Sequence, residues 1–453
     1  MPRGGAPQPR QVVVVGASVA GLFAAAAAAD AGHQVTMLER DPLNDASSRP
    51  GVPQGEQPHV FLYRGLLAVE ALLPGLRAEL VRLGAVAFDT GHLPWLTEDG
   101  WLPCGQPAFE VLSMTRPLFE HAVRRRVAEL PGVTIRSSCR ATGLCRLADR
   151  WQVELADAPP VPADLVIDAS GRSSRLPTWL AAAGVSAAPT AEVDAGVGYS
   201  TRRYAADPAT LSAVGLIIQQ SPATMAGGLA LPVEGGHWLV AAIGCADHRP
   251  PRDVNGFTAF LTALPDSALA DLIARGQPLT DVTVHRQTGN RRHHYEKVTG
   301  WPDGLLVIGD ALCAFNPIYG QGITVAALEA LRLRDALAGP WRAGYSRRLL
   351  KQFASVVALP WAIATSEDLR YPTSEGRQTL PQAVLGRWNG RLIALATHGD
   401  ERAHAVLARV YHLMGPPALL FQPYLIRAAL RARISGYGPP TPRPGRLDAL
   451  GVR

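Results

Sequence analysis

Residues 11–38 constrain the fold more than any other part of the chain. Val12, Val13, Val14 and Val15 form a β-branched run that reads as a buried strand, because branched side chains pack well on a pleated surface. Gly16, Ala17, Ser18, Val19, Ala20 and Gly21 then turn the chain. An alanine-rich stretch to about Asp30 reads as a helix, and Val35 to Leu38 as a second strand. Strand, turn, helix and strand make a βαβ unit with parallel strands, whose turn offers backbone N–H groups to a pyrophosphate at a helix N-terminus. Ser18 stands where such a turn usually has its second glycine, but its side chain is still small. Glu39 closes the second strand, followed by Arg40. A carboxylate about 20 residues beyond the turn accepts ribose hydroxyls and prefers an unphosphorylated ribose, as in FAD or NAD.

The same stretch imitates a signal peptide: eighteen uncharged residues, Val12 to Ala29, follow Arg3 and Arg10. The interruptions at Gly16, Ser18 and Gly21 and the valine run favour strand, turn and helix instead. No other stretch reads as long and apolar enough to span a bilayer. With 453 residues and a hydrophobic share of 47%, the chain suits a soluble protein of two or three domains or one large composite. The net charge of +6 is almost all arginine, Lys297 and Lys351 being the only lysines, and it is spread thinly. A nucleic-acid surface is therefore not expected. The five cysteines show no C-x-x-C spacing and no histidine pair nearby, which suits free thiols in a reducing cytoplasm and no metal site.

Arg116 and Pro117 open an amphipathic helix in which Phe119, Val123, Val127 and Leu130 recur at helical spacing. Strands at Val133 to Arg136, Trp151 to Leu155 and Leu165 to Ile167 follow. From Ala191 to Val284 the pattern changes to alternating segments, such as Leu229 to Val233 and Trp238 to Ile243, joined at Glu234, Gly235 and Gly236. This reads as a separate antiparallel sheet. The α/β character returns at Leu305 to Ile308, so the nucleotide domain is discontinuous. Beyond Val325 the pattern is mostly helical, with a Pro-rich tail after Tyr437. Its basic amphipathic stretch Ala418 to Ile434 is expected to pack on the core, with covering the active site or meeting a partner or membrane as alternatives.

After Leu305 to Ile308 come Gly309, Asp310 and Ala311, then Asn316, Pro317, Gly320, Gln321 and Gly322. This G-D-A…N-P…G-Q-G arrangement resembles the second FAD fingerprint of the group A flavin monooxygenases, and the resemblance extends over most of residues 11–340. It implies FAD held by Gly16, Ala17, Ser18, Ala20, Gly21, Glu39 and Arg40 at one end. At the other it implies Gly309, Asp310, Pro317, Gly320, Gln321, Gly322 and Ile323. Arg116 matches an arginine that reaches the phosphates or ribityl chain, and Ala141 would meet the adenine edge. A reduced flavin carries negative charge around N1 and C2=O, where the N–H groups of a helix N-terminus are favourable. Asp168 to Ser174 resembles the family's D-G motif, which serves FAD and NADPH. Ser170 stands at the motif's aspartate, a departure that weighs against efficient NADPH use.

Two further segments, Arg49, Pro50, Gly51, Val52, Pro53 and Gln54 with His59, and Asn290, Arg291, Arg292, His294 and Tyr295, are similar to those of polyketide-tailoring epoxidases of polyether biosynthesis. His59 and Tyr295 are candidates to line the flavin or the substrate, with an ordinary buried, hydrogen-bonded role as the alternative. The resemblance implies an α/β composite: a Rossmann-like FAD-binding domain (residues 1–85, 105–190 and 285–345), an inserted antiparallel-sheet substrate domain (86–104 and 191–284) and a C-terminal helical region (346–453). It implies that NAD(P)H reduces the flavin and that O2 adds at C4a to give a hydroperoxide. Epoxidation or hydroxylation of an apolar polyketide-like or aromatic substrate follows, with Leu, Ile, Val and Trp238 of the inserted sheet facing it. A non-redox cyclase or an alkene reductase on the same scaffold is the alternative. Halogenases of this scaffold rely on a lysine beyond the flavin and a W-x-W-x-I-P run, and neither is present.

Overall fold

The computed structural model describes residues 9–43, 49, 51–52, 54–147, 150–205, 214–445 and 447. Pro50 and Pro53 lie outside them. Val12 to Val15 are all buried, as a strand covered on both faces requires. Their strand, Gln11–Val15, is the centre of a five-stranded parallel sheet in the order Leu305–Val307, Leu165–Asp168, Gln11–Val15, Gln34–Leu38, Val133–Arg136. Val15 pairs with Asp168 on one side and Leu38 on the other, so the strand ends that carry the glycine turns lie together. The helix Val19–Asp30 is apolar all round and almost wholly buried. Its alanines let the helix Gly322–Leu337, some 300 residues on, pack against it.

Most strands of the segment 191–284 belong to a separate sheet, but its first, Thr190–Val193, pairs instead with Asn290–His293. The separate sheet has eight strands in the order Gln277–Pro278, Val197–Ala205, His237–Cys245, Ala226–Val233, Leu216–Ile218, Trp95–Thr97, Gly100–Trp101, with Thr283–His285 also paired to Val197–Ala205. It is antiparallel apart from one junction, Leu216–Ile218 with Trp95–Thr97. The hairpin turns at Glu234–Gly236, where Gly235 and Gly236 take φ of 76° and 70°, a left-handed backbone that glycine adopts freely. Val86–Asp89 does not join this sheet but pairs with Glu110–Met114, which also pairs with His59–Val60.

Alternation splits the eight-stranded sheet into two faces. Trp238, Val240 and Ala242 pack with Phe257, Leu261, Leu269 and Leu272 from the helices Val254–Thr262 and Ala268–Arg275. Trp238 therefore faces away from the substrate side expected for it. The opposite face presents Leu229, Leu231 and Ala241.

The C-terminal helices are Tyr345–Asp368, Leu380–Thr397, Glu401–Tyr411 and Pro423–Ser435. Contrary to the sequence reading, Tyr345–Asp368 is long and apolar enough, by length and composition alone, to cross a bilayer. Its Leu349, Leu350, Phe353, Val357 and Ala364 are buried in the core of the parallel layer. The other three share a small core of their own around Leu392, Leu395 and Leu425. The tail then returns across the molecule: Thr441 N–H donates to Thr397 O at 2.7 Å and Arg443 Nε to Asp266 Oδ2 at 2.6 Å. Leu447 is buried among the side chains of the sheet domain.

Candidate active site

The first turn has no room for side chains at its glycines. A Cβ on Gly16, where φ is +103°, would lie 2.6 Å from Ala169 O, and one on Gly21 would lie 2.0 Å from Gly16 O. Both obstacles are backbone atoms that cannot swing aside. Ser18 is extended and caps the helix without a side-chain hydrogen bond. Its hydroxyl instead accepts from Arg116 Nη2 at 3.2 Å. Arg116 is the first residue of the helix Arg116–Ala128, capped by Thr115, and its Nε also lies 3.4 Å from Glu120 Oε2. The serine at the second-glycine position is thus the partner of the arginine. Ser18→Ala should cost about 1 kcal/mol in chemical denaturation by removing that bond; an unchanged midpoint would mean that the contact contributes nothing.

Glu39 is buried at the end of its strand. Its Oε2 accepts from Ala17 N–H at 2.8 Å and its Oε1 from Asp41 N–H at 3.0 Å, and Arg49 Nη1 approaches to 3.3 Å. It ties the glycine turn to the next loop while keeping a place on the cleft wall beside Arg40. Ala17 and Gly21 shape the turn from behind, whereas Gly16, Ser18, Ala20, Arg116 and Ala141 line the cleft.

Asp168 lies off the cleft. It is fully buried, and its oxygens accept from the Ser170 N–H at 3.0 Å and the Ser170 and Ser174 hydroxyls, each at 2.5 Å. Burial raises its pKa and those bonds oppose the rise. Arg172, in the same motif, does reach the cleft: its Nε lies 3.4 Å from Asp310 Oδ2, and Nη1 donates to Gly289 O at 2.7 Å.

The second turn follows Leu305–Val307. Gly309, with φ +65°, passes so close that a Cβ would lie 2.6 Å from Ala20 Cβ, which brings the two glycine turns into contact. Its N–H donates to Glu329 Oε2 at 2.8 Å. Glu329 is completely buried, which pushes its carboxyl up to about 8 against the pull of that bond. Asp310, Pro317, Gly320, Gln321, Gly322 and Ile323 all line the cleft. Asn316 holds this loop from below: its Oδ1 accepts from Tyr199 OH at 3.1 Å, and its Nδ2 donates to Asp368 at 3.2 Å. Asp368 also receives Asn290 Nδ2 at 2.5 Å and Tyr319 OH at 2.6 Å. Burial pushes its carboxyl up to about 6, with these donors opposing. Nothing in the motif pattern pointed to Asp368, which lies beyond it on a C-terminal helix.

Beyond the second turn the cleft widens against Trp95, Ile217, Leu229, Leu231 and Ala241 and is roofed by Tyr411 and His412. Sequence reasoning missed both roof residues, which have no motif around them. His59 lines the cleft. Tyr295 does not: it is buried between His293 and Trp301, with ring centres 5.5 and 5.2 Å away.

The cleft encloses about 740 Å³, ample for an extended small ligand. Its residues fit a dinucleotide. Side chains are excluded at Gly16, Gly21 and Gly309 by the protein's own atoms, which keeps the two turns tight, and Gly16 and Gly309 present bare backbone to the cleft. Gln321, which lines the cleft, has both side-chain amide atoms buried with no protein partner.

A five-stranded parallel layer whose two glycine turns open on one cleft, with a separate sheet as its far wall, is the fold of the group A flavin monooxygenases and related halogenases. The chain belongs to the same family as Protein Rv3254 of Mycobacterium tuberculosis (strain ATCC 25618 / H37Rv), to which it is 32% identical over 354 residues, covering 72% of each chain. No protein-family model matches it. Among solved structures, the flavin-dependent brominase Bmp2 superposes with a TM-score of 0.66 at 15% identity, covering 94% of this chain and 100% of that one. The Diels-Alderase PyrE3 of pyrroindomycin biosynthesis gives 0.62 at 19%, covering 89% and 80%. PqsL of Pseudomonas aeruginosa, solved in complex with 2-aminobenzoylacetate, gives 0.58 at 18%, covering 80% and 98%. At such identities these likenesses describe the fold alone.

Proposed function

We propose that the chain is an FAD-dependent monooxygenase that places one oxygen atom of O2, by epoxidation or hydroxylation, on an apolar polyketide-like or aromatic small molecule. The observation that carries this reading is a single cleft, lined without a break from Gly16 through Gly309 and Gly322 to the apolar wall of Leu229, Leu231 and Ala241. Bound FAD, with NAD(P)H and O2, would supply the redox chemistry and the transferred oxygen. The protein's own part is binding and orientation. The turn at Gly16 to Ser18 and the Arg116 guanidinium suit the pyrophosphate, and Glu39 and Arg40 suit the adenosine end. Gly322 and Ile323, at the N-terminus of Gly322–Leu337, line the cleft and would favour the negative charge that a reduced flavin gathers. Leu229, Leu231 and Ala241 keep water from the reacting carbon. No lysine lines the described cleft, which argues against halogenation.

One observation favours a second reading. The Ser170 hydroxyl is spent on Asp168 within its own turn and offers nothing to a nicotinamide dinucleotide. A non-redox cyclase needs no reductant, and the PyrE3 likeness suits a cleft in which FAD is structural and the wall folds a polyene. The test is to load the protein with FAD, add a polyene or aromatic candidate substrate, and follow NAD(P)H and O2. The monooxygenase reading expects both consumptions to rise together and the product to gain one oxygen. Product formed anaerobically without reductant would sink it in favour of the cyclase, and a protein unable to take up FAD would sink both.

A further inference from the structure

Two histidines on the cleft wall have their ring tautomers set in opposite senses by backbone groups. His59 Nδ1 lies 2.7 Å from the carbonyl oxygen of Gln57. A carbonyl only accepts, so in a neutral ring Nδ1 carries the proton and Nε2 is a bare acceptor. His412 Nδ1 lies 3.1 Å from the backbone N–H of Tyr63. That group only donates, so Nδ1 is unprotonated and Nε2–H is a donor. Burial keeps both rings neutral: it takes His59 down to about 3, with Arg116 adding to the effect, and His412 down to about 4, with Asp89 opposing. Among the described residues neither Nε2 has a protein partner, and both side chains line the cleft.

The positions suit a pair. Tyr63, which holds His412, follows His59 by four residues, so their Cα atoms are within about 14 Å of each other. His412 closes the helix Glu401–Tyr411 and docks on the first turn of Tyr63–Leu72, which has no side-chain cap of its own. Thr90 Oγ1, a further cleft residue, is buried without a partner. The same cleft is lined by the apolar side chains of Leu62, Trp95, Leu229 and Leu231. A plain hydrocarbon would leave every one of these polar groups unpaired.

We infer that His59 and His412 form a two-point substrate selector: His59 Nε2 accepts from a substrate hydroxyl, and His412 Nε2–H donates to a substrate carbonyl oxygen. The substrate class is thereby an extended, largely apolar molecule with a hydroxyl and a carbonyl separated by an apolar span. The inference rests on the proposal that this cleft is the substrate site of an FAD enzyme and narrows what it takes. Neither histidine is assigned a chemical step; both set specificity.

The tautomers are read directly from nitrogen-15 shifts of histidine-labelled full-length protein, with and without FAD, assigned with His59→Gln and His412→Gln. The expected result is a protonated Nδ1 in His59 and a protonated Nε2 in His412; the reverse at either ring overturns the selector. Binding is then measured by fluorescence of the FAD-loaded protein with 4-hydroxychalcone, 4-methoxychalcone, which has lost the donor, and 4-hydroxystilbene, which has lost the carbonyl. The hydroxychalcone should bind about tenfold more tightly than either. His59→Phe should erase only the discrimination against the methoxy ether, and His412→Phe only that against the stilbene. His412→Gln, which retains an acceptor for Tyr63 N–H, serves if the Phe variant does not fold. Three equal affinities in the unsubstituted protein, absence of binding included, or discrimination that survives both substitutions, overturns the selector. A protein that fails to bind FAD sinks the proposed function and the selector with it, whereas a protein that binds FAD but shows reversed tautomers or equal affinities sinks the selector alone.

Discussion

Gly21→Val is expected to abolish FAD uptake. The new Cβ would stand 2.0 Å from the Gly16 carbonyl oxygen, a backbone atom in the turn proposed to hold the pyrophosphate. Relief requires the turn or the helix Val19–Asp30 to move, and both are packed into the core of the parallel layer. Overpacking of this kind costs about 3 kcal/mol or more, enough to weaken FAD binding more than about a hundredfold if the chain still folds. Gly390→Ala is the matched control. It lies off the cleft in the helix Leu380–Thr397, and its Cβ would meet nothing within 4 Å, so its stability should stay within about 1 kcal/mol of the parent and its FAD affinity should not change. Flavin titration and urea denaturation of both variants check the pair. A Gly21→Val protein that binds FAD like its parent would show that the cofactor is not held at this turn.

The second large effect concerns Glu329, whose pKa in the folded protein, about 8, lies above the 4.5 of a free carboxyl. The folded state therefore holds the proton more tightly than the unfolded chain does. The resulting contribution to stability is fully present below pH 4.5 and is lost as the pH rises through 8, at ~1.4 kcal/mol per unit over that interval. Glu329→Gln keeps an acceptor for Gly309 N–H and removes the ionisation. It should be within about 1 kcal/mol of the parent near pH 5 and more stable than it by about 3 kcal/mol at pH 7, the gap levelling off above pH 8. Glu329→Ala leaves Gly309 N–H buried and unpaired beside a cavity, a loss of about 3 kcal/mol. Urea titrations at about pH 5, 7 and 9 separate the three proteins. A parent and a Gln variant with the same pH slope would remove Glu329 as its source.

The parallel layer is legible from the chain because its elements are local and strongly patterned: four valines, a glycine turn, an all-apolar helix and a second apolar strand. The hairpin at Glu234–Gly236 is legible for the same reason, since two glycines between alternating runs leave few other structures. Direction is what local pattern lacks. Alternation places Trp238 and Val240 on one face, but only the later helices Val254–Thr262 and Ala268–Arg275 decide that this face is covered. Motif spacing brings Asp168 near the cofactor end of its strand, whereas the hydroxyls of Ser170 and Ser174 turn its carboxylate inward. Tyr411 and His412 reach the cleft through contacts made some 350 residues from Tyr63, and Asp368 reaches Asn316 from a different layer. Long-range packing of this sort leaves no periodicity to read. The length and apolarity of Tyr345–Asp368 also went unread, because its Arg347, Arg348 and Lys351 break the appearance of a continuous apolar run.

The wide separation of the sheet strands along the chain sets the order in which they are synthesised. Gln11–Val15 lies beside Leu165–Asp168, which waits for Leu305–Val307 before its other edge is paired. Tyr411 and His412, and the tail that ties Thr441 to Thr397 and Arg443 to Asp266, come later still. In a chain that leaves the ribosome N-terminus first, the cleft floor can therefore close before its roof has been synthesised. The residues proposed to hold a dinucleotide, from Gly16 to Gly322, are thus all made before the two roof residues, so the proposed cofactor end of the cleft is complete in the chain while its roof is still to come.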